Sequence, residues 1–140
     1  MTMQADFLDA HHRHWDDAER LFVAGRWANA DHLYGLAAEC GLKALIEKLI
    51  GQGALDQKQD YVHIMEDKKQ NNAWSRYQSY LSGRLASEFA LPQTNPFIDW
   101  RISQRYAHQN QFDTVCINKH RGGAEIVHQL IKKAEWEGLI

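Results

Sequence analysis

Trp27-Ala28-Asn29-Ala30-Asp31-His32-Leu33-Tyr34-Gly35-Leu36-Ala37-Ala38-Glu39-Cys40-Gly41-Leu42-Lys43-Ala44-Leu45-Ile46 is apolar or small on nearly every side of a helix. A surface helix confines its apolar residues to one stripe, so a segment of this composition belongs at the centre of a bundle. Ala30, Gly35, Ala37, Ala38, Gly41 and Ala44 permit close approach by neighbours, while Leu33, Leu42, Leu45 and Leu49 supply packing bulk. The helix is predicted over about residues 28–50, with Gly51-Gln52-Gly53 ending it.

Upstream, Leu8, His11, Trp15, Ala18 and Phe22 recur at helical spacing among Asp9, Asp16, Asp17 and Arg20, which predicts a first helix over about 6–24. The short break Ala24-Gly25-Arg26 forces the two helices into an antiparallel hairpin. A third helical region falls within 61–89; Lys68-Lys69-Gln70-Asn71-Asn72 has no apolar residue and predicts a division near Asn71 and Asn72. Pro96 suits the first turn of a helix over about 96–109, and a last helix spans about 113–138, with Val115, Ile126, Val127, Leu130, Ile131, Ala134 and Trp136 as its apolar members. Gly122-Gly123 is expected to split off its start. No strand alternation is present, so the expected fold is a single all-α domain over 1–140, an up-and-down bundle of four to five helices.

A chain of 140 residues buries enough surface to fold without metal or disulfide staples. Net charge of −2 makes the whole surface no magnet for nucleic acid, so any RNA contact must use a local patch. Cys40 and Cys116 lie in predicted helices with no short spacing between them, which points to a reducing compartment. The first residues carry no basic region and no run approaches a membrane span, so the expected location is cytoplasmic.

On a helix over 96–109, Ile98, Ile102 and Tyr106 form an inward stripe, and Arg101, Gln104, Arg105 and His108 share an adjacent face. Two guanidiniums that grip phosphate and an imidazole that exchanges protons near neutral pH are what RNA cleavage through the ribose 2'-hydroxyl requires. His11, His12 and His14 form a second cluster, of which His11 and His14 share a face; Asp17 or His32 would have to complete a metal site, and the expectation is no metal. Glu39 and Lys43, one turn apart in the most apolar helix, must satisfy each other if buried. Lys68-Lys69 and Lys132-Lys133 read as solvated basic pairs.

The 27–46 pattern resembles helix 2 of HEPN domains, small all-helical bundles of nucleotide and RNA systems. HEPN ribonucleases carry an Arg followed after four to six residues by a His and act as dimers; Arg101 and His108 have six residues between them, but Ile102 stands where a polar residue usually follows the Arg. Trp100-Arg101-Ile102-Ser103-Gln104-Arg105-Tyr106 looks more like the Trp-to-Arg-Tyr pattern of HEPN members that keep a structural Arg-Tyr pair. The resemblance implies a homodimer, a Glu39 and Lys43 ion pair, and a nucleotidyltransferase-type partner protein. The expected function is a non-catalytic binding and assembly module without cofactor, holding an anion or nucleotide through Arg101, Arg105 or Lys43. A metal-independent endoribonuclease of toxin or defence type using Arg101 and His108, and a purely structural bundle, stay open beside it. Five tryptophans are more than a lone bundle of this size hides easily, which also favours a dimer.

Overall fold

The computed structural model describes residues 3–66 and 71–140, so the Lys68 and Lys69 pair lies outside the described residues. The described residues form an all-α bundle of five α-helices without strands: α1 Phe7–Val23, α2 Trp27–Leu45, α3 Ala73–Tyr80, α4 Gly83–Glu88 and α5 Thr114–Trp136. No helix among them is long and apolar enough to cross a membrane.

α1 starts where the Asp6 carboxylate accepts the Asp9 amide, and Gly25 turns the chain at a φ of 75°. The hairpin follows as expected. Thirteen residues of α2 are buried, from Ala30 to Leu45, which makes it the central element. Its last turn, Ile46–Ile50, widens into a π-helix before Gly51. α5 runs antiparallel to α1, with Arg121 beside Glu19 and His12 beside Glu135, and parallel to α2, with His120 against Asp31. Glu19 joins all three helices, taking two hydrogen bonds from Arg121 at 2.8 and 3.0 Å and one from the Tyr34 hydroxyl at 2.7 Å.

The small residues of α2 mark where neighbours touch its backbone. A Cβ on Gly35 would sit 2.2 Å from the Trp100 ring, and one on Gly41 would sit 2.7 Å from His11 Nδ1 and 2.6 Å from Val127 Cγ1. Gly123 does the same on α5, where a Cβ would meet Pro96 and Phe97. That explains a correction: α5 is unbroken through Gly122-Gly123, because Gly123 makes room for the crossing loop rather than ending the helix.

Three further expectations change. The 61–89 region holds two short helices, but both begin after Asn72, which caps α3 by accepting the Ser75 amide. Residues 96–109 are not a helix. Phe97 and Trp100 are fully buried at a spacing of three, which pins the segment against Gly123 and Gly35, and the backbone is extended at Arg101. Only the 3-10 turns Ile102–Tyr106 and Gln109–Gln111 follow. Ile98 and Tyr106, expected inside, are exposed, and so are Val115 and Trp136 near the ends of α5.

Candidate functional site

The crossing segment is held by buried polar groups. Asp31 on α2 accepts from His120 Nδ1 at 2.6 Å and from Gln104 Nε2 at 2.5 Å, and the second His120 nitrogen faces Asp99 Oδ1 at 2.7 Å. Gln104 Oε1 accepts the Arg101 amide, closing the first 3-10 turn. Lys119 donates to Asp99 at 2.8 Å. Burial alone would raise the Asp99 pKa, but the Lys119 and His120 bonds outweigh it and hold the carboxyl at about 2.

Cys116 stands 3.9 Å from His120 Nδ1, a pairing that invites comparison with a thiol nucleophile. Burial, with Asp31 and Asp99 beside it, pushes its thiol up to about 12, the opposite of activation. Both His120 nitrogens lie at hydrogen-bond distance from carboxylate oxygens, closer than the thiol. This network braces the segment.

The residues singled out from the sequence are dispersed. Arg101 turns one guanidinium nitrogen onto the Ile98 and Trp100 carbonyls, and Arg105 donates to the Ile102 carbonyl and lies 4.6 Å over the Tyr106 ring. His108 Nδ1 accepts the Asn110 amide and so caps the second 3-10 turn. Without the 96–109 helix, the shared Arg and His face does not form. Lys43 is buried at the opposite end of α2, its Nζ 3.0 Å from Glu39 and over the Phe7 and Tyr61 rings, with no open surface for a ligand. The expected ion pair stands, with a third member: His63 Nδ1 lies 2.9 Å from the other Glu39 oxygen. Lys133 is not merely solvated, since it donates to the Glu88 carbonyl at the end of α4.

What the fold does assemble is an open groove between the first turn of α2 and the two 3-10 turns, lined in part by Arg26, Asn29, Gln104 and Arg105. Two arginines line it and no Asp or Glu does. No side chain caps α2, so the first-turn amides, which have no partner within the helix, border the same groove. Guanidinium forks and a helix N-terminus both favour an anion. Arg26 and the groove's second wall were missed by a reading that placed Arg105 on a helix.

Set against known proteins, the chain matches no family model, no curated protein and no solved structure.

A second constellation lies across α1 and α5. His11 and His14 do not share a site as their spacing suggests, and His32 stacks on Trp100, near the other end of α2. His11 instead meets His128, Nε2 to Nδ1, at 3.0 Å, with His12 and Glu135 beside them. Burial lowers the His11 pKa to about 4.

Proposed function

We propose that the chain is a HEPN-like binding and assembly module that acts as a homodimer in a nucleotide- or RNA-related system and has no cleavage chemistry of its own. The observation that carries this is the acid-free groove: in a chain of net charge −2, Arg26 and Arg105 face the uncapped start of α2 with no carboxylate among the lining residues. Phosphate is the anion this chemistry suits, because guanidinium forks and main-chain amides both match its oxygens. The groove is lined by no histidine and no carboxylate, so nothing there takes a proton from a ribose hydroxyl. The exposed apolar residues Ile98 and Val115 support self-association; each neighbours one of Asp99 and Cys116, which touch at 3.6 Å.

The test is fluorescence anisotropy with labelled single-stranded RNA at low salt, on the unmodified chain and an Arg26→Ala, Arg105→Ala double variant. The expected result is weak binding that the double variant loses about tenfold or more, with the RNA recovered intact. Equal binding by both proteins would remove the groove from the account. RNA cleavage lost in His108→Ala would favour the nuclease reading instead.

A further inference from the structure

The three-histidine constellation is built as metal sites are built, and nothing in the anion-groove reading uses it. His11 is fully buried, and its Nδ1 lies 2.8 Å from the Ala37 carbonyl. A carbonyl only accepts, so Nδ1 carries the proton and Nε2 presents its lone pair outward. That lone pair is aimed at His128 Nδ1, 3.0 Å away. A ring fixed through one nitrogen by a backbone carbonyl, with the lone pair of the other presented to further donors, is the usual outer-sphere arrangement of a metal-ligating histidine.

The other parts are fixed independently. Gly41 leaves the space the His11 ring occupies, since a Cβ there would lie 2.7 Å from Nδ1. Trp15 stacks on His128 with ring centroids 4.6 Å apart, which holds the second imidazole from its outer face. His12 offers the third nitrogen, and ligand atoms of all three lie within 4.8 Å of one another. Nitrogens bound to one tetrahedral ion at about 2.1 Å sit about 3.4 Å apart. His11 Nε2 and His128 Nδ1 stand 3.0 Å apart, so a small opening of that pair with a rotation of the half-exposed His12 would bring three nitrogens onto one ion. Glu135 lies 3.3 Å from His12 and brings negative charge to the solvent side, where an ion would enter.

We propose that His11, His12 and His128 form a binding site for a divalent ion of the zinc class, clipping α1 to α5. Three imidazoles select late first-row ions over magnesium or calcium, which prefer oxygen ligands. Two of the ligands are separated by 117 residues, so the ion would cross-link the first and last helices and stabilise the folded chain over the unfolded one.

The experiment uses the full chain without an affinity tag, stripped by chelator and titrated with cobalt(II), then with zinc. The expected result is one cobalt per chain with the visible absorption of tetrahedral coordination, displaced by zinc, and a Tm that rises with zinc but not with magnesium. His128→Gln and His12→Gln, both at partly exposed positions, should each weaken binding by about tenfold or more while circular dichroism stays helical. If His11→Gln fails to fold, these two variants still decide the matter. No stoichiometric binding by the unmodified chain, or binding unchanged in either variant, would overturn the proposal.

Discussion

His63 reaches Glu39 from a loop 24 residues along the chain and makes a three-membered cluster of what the helix alone presents as a pair. The Glu39 bond raises the His63 pKa above its ordinary 6.5, outweighing burial. A raised histidine pKa adds stability in full below 6.5 and loses it as pH climbs through the raised value. Burial alone would raise Glu39, yet its His63 and Lys43 bonds hold it below 4.5, so its share is lost only in acid. His63→Gln should therefore lower the Tm more at about pH 6 than at about pH 8. An equal drop at both would show that the pair does not couple to folding. Gly35 supports a second prediction at this scale. A Cβ 2.2 Å from a fully buried Trp100 ring has nowhere to go, so Gly35→Ala should cost about 1–3 kcal/mol in urea unfolding.

Among the elements, the 3-10 turn Ile102–Tyr106 is tied to a distant part of the chain. Gln104 ties it to Asp31, and Asp31 also holds His120. Asp31→Ala would leave His120 buried with one acceptor missing, at a cost of about 3–5 kcal/mol, and should speed amide exchange across 102–106 more than across α1. Exchange rising equally everywhere would mean that the turn is not separately anchored. The same element shows the limit of what was legible in the sequence. α1 and α5 announce themselves through apolar periodicity and side-chain caps and α2 through its near-continuous apolar and small composition, all of them local signals. The 96–109 segment has helical spacing too, yet burying Phe97 and Trp100 against two distant glycines overrode it. The groove was half legible: Arg105 was named, but Arg26, which lines it from the start of α2, was not. His128 and His120 carried no local signal, since their partners lie on α1 and α2.

At the scale of the whole molecule, two of the five tryptophans, Trp74 and Trp100, are fully buried, while Trp136 is 91% exposed. A lone bundle therefore leaves apolar surface uncovered, and sedimentation at micromolar concentration should give twice the 16.2 kDa chain mass. Ile98→Asp with Val115→Asp should return it to the single-chain mass; a single-chain mass for the unmodified protein would remove the dimer from the account. The order in which the bundle closes has a consequence for the His11–His128 pair and for the His120 network. α1 and α2 are joined by a tight turn and make near-neighbour contacts, whereas α5 docks on partners such as Asp31, 89 residues back. Loop-closure entropy places that docking late. On a ribosome the hairpin would emerge with its α5-facing side bare, and His11 would wait for His128 until α5 has emerged. An ion captured through His11 and His128 thus reports a docked α5, and a truncation before α5 would assemble neither that pair nor the His120 network.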